Sequence, residues 1–453
     1  MEKNRREFLK RTSLACLGMA SANFFGNTTW TGSFGKAETS GATLTNDAQA
    51  PLQMNDQIKV AREVALKILK PSKKQLEHGL ELHRNSLVFD TYGFMPKAAV
   101  DGTAINLAIE NKASPIEIQD MRENMYMTRF VNDQKEREEF KNAWKAAGVT
   151  CVFQNAGEEG NQIKRLVKRL AHFTYATDMM RDFVQKAVTP DDILQAKKEN
   201  KHALYFTSNG VPLPQEWVSL EEELRYIEIF YQLGIRMMHL TYNRQNVIGG
   251  GVGETKDGGL SDFGRAIIKE MNRVGVIVDI AHSGWQTSLE AARLSDRPMV
   301  ASHSTVASIY EHIRSKPDHV IRAIADTGGY LGICCIPRFL GGTGDIAAMM
   351  QHIDYIVKTF GVEHVGIGTD LAYSSRYATE ENNKISSSQV RRTRWAALWP
   401  ADDFQEKPQM RQSMAWTNWP LFTVGMVQMG YSDDDIQKII GGNALRVTKA
   451  ALD

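Results

Sequence analysis

Eight short apolar runs, spaced along residues 86–371, constrain what this chain can fold into more than any other feature. They are 86–92 (SLVFDTY), 148–155 (GVTCVFQN), 202–209 (HALYFTSN), 235–243 (IRMMHLTYN), 275–282 (GVIVDIAH), 298–304 (PMVASHS), 330–337 (YLGICCIP) and 364–371 (HVGIGTDL). Segments of helical periodicity separate them. Short strands alternating with helices predict parallel βα units rather than a β-sandwich. Eight such units predict an α/β fold, a (β/α)8 barrel, with its functional residues at the C-terminal ends of the strands.

The intervening segments carry helix signals. In 261–274, Ser261 is the expected N-cap, Phe263, Ile267, Met271 and Val274 share one face, and Gly275 stops the helix. The segment 220–233 repeats this arrangement before Gly234, and 287–294, 318–327 and 346–360 supply helices after strands five, six and seven. Ser432 is expected to cap a C-terminal helix with an acidic first turn. Two segments break the rhythm. Residues 246–260 (NVIGGGVGETKDGGL) form a glycine-rich loop without GxGxxG spacing, which argues against nucleotide binding. Residues 372–417, with Trp395 and Trp399, form a long loop after strand eight, on the face where substrate access is shaped.

The N-terminal stretch MEKNRREFLKRTSLACLGMASA sets Arg5-Arg6 ahead of Phe8, Leu9, Lys10 and an apolar segment. This is the pattern of a twin-arginine export signal, with Ala20-Ser21-Ala22 as its cleavage site. Ser13 stands where a lipobox needs an aliphatic residue, so Cys16 is not expected to carry lipid. The expected organisation is a signal peptide over 1–22, a disordered tether over 23–55 and the barrel over 56–453. That route places a bacterial protein in the periplasm or outside the cell, and it carries folded proteins, often with a cofactor already inserted. Losing the leader's five Lys/Arg and two Asp/Glu takes the formal net charge from +1 to −2. No basic stripe points to nucleic acid. No other run reaches the roughly 18 apolar residues of a membrane span, so a soluble mature protein is expected. Cys151, Cys334 and Cys335 lie inside strand runs and are expected to be buried and free.

The strand ends carry the chemistry. His282 ends the fifth run and His303 lies near the end of the sixth, so both imidazoles are expected at the barrel mouth, where histidine suits zinc and similar borderline metals. Asp370, in the open GIGTD segment of strand eight, is a third candidate metal ligand and a candidate general base. Arg314, in HIRSK after strand six, has the planar fork that grips a substrate carboxylate.

The stretches LSDFGRAIIKEMNRVGVIVDIAHSGWQT, RPMVASHS, HIRSKPDHVI, HVGIGTD and GYSDDDIQKIIGGNALRV resemble the membrane (renal) dipeptidase family, and the similarity runs from about residue 80 to 450. The resemblance implies a zinc-dependent (β/α)8 barrel of metal-dependent hydrolase type. It implies hydrolysis of dipeptides, a bridged pair of zinc ions, a water nucleophile and an arginine on the substrate's carboxylate. His282 and His303 match the family's two histidines of one zinc site, Arg314 the arginine, and Asp370 the aspartate of the last strand. The other half of the pattern is replaced. Tyr92 and Phe94 stand where the first strand of the family carries the His and Asp ligands, Asn209 where it carries the bridging Glu, and Tyr242 where a substrate-contacting His follows strand four.

Phe94 cannot ligate a metal, a neutral Tyr92 is a poor ligand, and Asn209 brings no charge to balance two adjacent dications. The resemblance so modified implies one zinc ion rather than two, on His282, His303 and Asp370, with Glu158, Glu159 or Glu254 as unassigned loop carboxylates; a site with no ion at all is the other outcome. The expected function is an exported metallohydrolase cleaving a dipeptide or similar small amide with a metal-bound water. Arg314 and Tyr242 would bind the substrate. Two further readings follow from the same replacements: a catalytically silent binding protein with an aromatic-rich mouth, and a lyase or isomerase using Tyr92 or Tyr242 as an acid. The expected partner is a small molecule or dipeptide with a carboxylate, and a homodimer is compatible with the sequence.

Overall fold

A computed structural model describes residues 54–157, 162–386, 400 and 402–452. The proposed leader, nearly all of the proposed tether, Glu158, Glu159, Trp395 and Trp399 lie outside these residues. Each of the eight apolar runs overlaps one barrel strand: β1 Phe89–Gly93, β2 Cys151–Asn155, β3 His202–Ser208, β4 Ile235–His239, β5 Ile277–Asp279, β6 Val300–Val306, β7 Tyr330–Ile333 and β8 Val365–Ile367. Neighbours pair in parallel in that order. The ring closes where the chain leaves β8: Asp370 N–H donates to the Tyr92 carbonyl (2.9 Å), and Phe94 N–H donates to the Leu371 carbonyl (3.1 Å). Short strands Val184–Lys186 and Ser315–Lys316 add beside β3 and β6.

Strand periodicity sorts side chains into two layers. Phe89, Phe153, Tyr205, Met237, Ile277, Val300 and Tyr330 fill the barrel interior, with Phe89 stacked on Phe153 at 4.8 Å and Tyr205 edge-on to it at 5.2 Å. Their chain neighbours Val88, Val152, Leu204, Met238, Val278, Ala301 and Leu331 face the surrounding helices. Register shifts interrupt this alternation in β1 between Asp90 and Gly93, and beside β6 between Ala301 and Ser304. Such irregularities re-aim side chains, and both fall next to the residues singled out above.

The helices follow the sequence signals closely. Helix Asp262–Val274 starts at Ser261, whose side chain accepts from Gly264 N–H, and ends at Gly275 with φ +90°. Helices Leu220–Gln232, Trp285–Leu294, Asp318–Asp326 and Ile346–Phe360 occupy the expected segments. Asn55 caps Asp56–Leu69, the first described helix. Three helices, Gly102–Glu110, Pro115–Asn132 and Gln134–Ala147, lie between β1 and β2 and give the barrel much of its extra length. The three cysteines are buried and free. Among the described residues no helix is long and apolar enough to cross a membrane.

Candidate active site

The C-terminal ends of the strands converge on a cavity of about 420 Å³, whose lining includes Tyr92, Asn209, Tyr242, His282, Arg314 and Asp370. The residues singled out from the sequence therefore share one mouth. At its floor, with His282 in the lining, three imidazoles from the ends of adjacent strands come together: His239, His282 and His303 each place a ring nitrogen within 4.8 Å of the others. All three are buried. Asp370 stands in the cavity wall, outside that group.

His239 was not singled out from the sequence, and the reason is a strand boundary. The apolar run continues to Asn243, which puts the apparent strand end at Tyr242-Asn243. β4 in fact stops at His239, level with Asp279 of β5. Parity gives the missing signal: Met237 faces the barrel interior, so His239 two residues on faces it as well.

The histidines are held from behind. His282 Nδ1 meets Asn243 Oδ1 at 2.5 Å, and His303 Nδ1 meets Ser302 Oγ at 2.8 Å, which turns the two Nε2 atoms toward each other at 2.9 Å. His239 Nδ1 sits 3.0 Å from the Ser208 carbonyl. Burial, and then the nearby Arg314 guanidinium, hold His282 and His303 well below the ordinary histidine range. Neutral imidazole is the form that ligates metal.

The glycine-rich loop serves this arrangement rather than a nucleotide. Val252 N–H donates to the His282 carbonyl (3.0 Å) and Gly253 N–H to the Asn243 carbonyl (2.7 Å). Gly251 packs so tightly that a Cβ there would lie 2.3 Å from the Asn243 carbonyl carbon. Asn243 itself is left-handed at φ +58°, as is Asp370 at +54°, conformations that non-glycine residues adopt at a cost and that concentrate at functional sites.

The replaced positions close on one another. Tyr92 Oη donates to Asn209 Oδ1 at 2.5 Å. The Tyr92 ring stacks on His303 at 3.8 Å and stands edge-on to His239 at 5.3 Å, while Tyr242 stacks on His282 at 4.3 Å. Burial pushes the Tyr92 hydroxyl well above the usual phenol range, so it stays neutral. A phenol bonded to an amide does not fit the charged ligand set of a bridged metal pair. The three imidazoles do fit one ion, because His239 Nε2 and the neighbouring Asp279 Oδ2 are buried without a hydrogen-bond partner.

Of the seven charged side chains that line the cavity, Lys97, Arg122, Glu123, Arg165, Arg169, Arg314 and Asp370, the last two are those singled out from the sequence. Arg314 is 1 % exposed; it donates to the His303 carbonyl at 2.9 Å, while its Nε has no partner. Among the described residues no carboxylate reaches it at ion-pair distance. Burial pushes the Asp370 carboxyl up to about 6, against the opposing pull of Arg314 and Lys97. A carboxylate so placed is ionised near neutral pH and basic enough to accept a proton.

Comparison with known proteins follows the same lines. The membrane dipeptidase (peptidase family M19) model matches residues 77–387. The dipeptidase verJ of Clonostachys rogersoniana is 29 % identical over 220 residues, covering 48 % of each chain. The dipeptidase tcpJ of Claviceps purpurea is 24 % identical over 282 residues, covering 61 % of this chain and 57 % of that protein. The chain thus spans about half the length of the curated relatives it matches. A solved amidohydrolase from Pseudomonas aeruginosa superposes with a TM-score of 0.60 at 25 % identity, over 82 % of this chain and 98 % of that one.

Proposed function

The chain belongs to the membrane dipeptidase family, peptidase family M19, and on that premise we propose that it hydrolyses a dipeptide or similarly small amide bearing a free carboxylate, at a site for one metal ion. The observation that carries this reading is Arg314: a buried guanidinium with an unpartnered Nε, in the wall of a cavity that also presents His282 and Asp370. Burying a cation without a counter-charge is costly, and a substrate carboxylate would relieve that cost.

Arg314 would fix the carboxylate end of the substrate by a two-pronged contact. The scissile amide would then lie toward His282, with Asp370 placed to take the proton of the attacking water and return it to the leaving amine. Tyr92 and Tyr242 would wall the site with apolar rings and limit water to what the reaction uses. An ion on the buried histidines would supply Lewis acidity toward the carbonyl and make water a stronger nucleophile near neutral pH.

The test is turnover of a dipeptide panel by the full chain in labelled water. Hydrolysis places one label in the new carboxylate, and Asp370→Asn is expected to lower kcat by about 100-fold or more. One observation favours a second reading. The Tyr92–Asn209 hydrogen bond occupies ground where the family pattern has charged ligands, as a binding protein without catalysis would have it. Tight binding of dipeptides with no turnover under metal-replete conditions would select that reading, and a product without label would point to lyase or isomerase chemistry.

A further inference from the structure

The metal ligands that the family resemblance implies come from β1, β3, β5, β6 and β8, and the segment after β4 supplies only the substrate-contacting position, here Tyr242. In this chain β4 ends on an imidazole that faces His282 and His303. We propose that His239, His282 and His303 together hold a single borderline divalent ion of the zinc class, which confines the metal centre to the β4–β6 side of the barrel. The proposal deepens the one-ion reading above and rests on it for the site, though not for the substrate.

The hydrogen-bond wiring points to a missing cation. The Ser208 carbonyl is only an acceptor, so His239 Nδ1 must donate to it, and the neutral ring then carries a lone pair on Nε2. That atom lies 3.0 Å from Asp279 Oδ2, yet neither makes a hydrogen bond. The Asn243 oxygen likewise fixes the proton of His282 on Nδ1 and leaves a lone pair on Nε2. A single proton on His303 Nε2 would satisfy His282 across their 2.9 Å contact. It would do nothing for His239 or Asp279. One cation among the three rings gives every Nε2 a common acceptor and sets a carboxylate beside it to balance charge.

The surroundings agree with one ion and against two. Asn243, Ser302 and Ser208 occupy the second ring nitrogens, as outer-shell partners do in metal sites. Tyr92 stacks on His303 where the family pattern has a metal ligand, and Tyr242 stacks on His282 where it has the substrate-contacting histidine. Of the three histidines, His282 is the one that lines the cavity, so the ion would be approached from the substrate side. Three protein nitrogens and an open position form the ligand count of a catalytic rather than a structural zinc site.

X-ray absorption on the zinc-loaded full chain reads this directly and needs no variant. Three imidazole nitrogens at about 2.0–2.1 Å are expected; two imidazoles with carboxylate oxygens would overturn the role of His239. Binding of zinc, and of cobalt followed by its visible absorption, is then measured on variants. His239→Ala is expected to weaken binding by about 100-fold or more, beyond the 10–100-fold typical of an outer-shell loss, while Asp370→Asn changes it by less than about threefold. The reverse ranking would overturn the proposal and return the ion to the sequence-derived set. Failure of the wild-type chain to retain any ion would overturn the proposal as well, and labelled-water turnover then judges the hydrolase reading on its own.

Discussion

Arg314 carries the most meaning per residue. Its fork is buried and half-satisfied by the His303 carbonyl, which orients it and leaves a donor toward the cavity. Arg314→Lys keeps the charge but loses the planar fork. The variant is expected to lose about 100-fold in kcat/KM for a substrate with a free carboxylate and little for its amidated analogue; equal losses on both would contradict the assignment. Tyr92, Phe94 and Asn209 show how far single residues can be read without coordinates. Their identities exclude a charged ligand set, and that much is legible in the chain. That Tyr92 and Asn209 bond to each other across 117 positions is a fact of barrel closure, which no local pattern encodes. His239 was hidden by an apolar run that continues past the end of its strand.

At the scale of elements, the glycine-rich loop after β4 is a clamp on the histidine support. Gly251→Ala would drive a Cβ into backbone atoms of Asn243 and Arg244, with no flexible side chain to give way. We expect it to cost about 1–3 kcal/mol of stability and to weaken metal binding through His282. Gly258→Ala, which meets nothing within 4 Å, should do neither; matched behaviour of the two, measured by urea unfolding and zinc affinity, would contradict the clamp.

The helix Lys73–Asn85 offers a second element-level test. His83 on this helix is buried against Thr423 and the Ala147 carbonyl. Burial lowers it to about 4 from an ordinary 6.5. The folded state therefore resists its protonation, so its contribution is present above pH 6.5 and is lost as pH falls toward 4, by at most about 3 kcal/mol. His83→Gln, which cannot titrate, should flatten the fall in urea midpoint between pH 7 and pH 4.5. An unchanged slope would show that other groups govern acid unfolding.

Over the whole molecule, the barrel was legible because its signal is redundant: eight runs, the intervening helices, and caps such as Ser261 and Gly275 all point the same way. The three helices between β1 and β2 were less legible, since they interrupt no strand run, yet Pro115–Asn132 reaches the cavity through Gln119, Arg122, Glu123, Tyr126 and Met127. The site was legible in part, because ligands on separate strands meet only after closure and the register shifts in β1 and β6 alter which side chains face in. The molecule that results keeps the family's barrel and sets Arg314 in the cavity wall; its metal-binding chemistry, as proposed, gathers on one side of the mouth. The most direct measurement of that claim is the metal content of the purified, metal-replete full chain by elemental analysis. One zinc-class ion per chain is expected, lost in His303→Ala; two ions per chain, or none, would contradict the one-ion site.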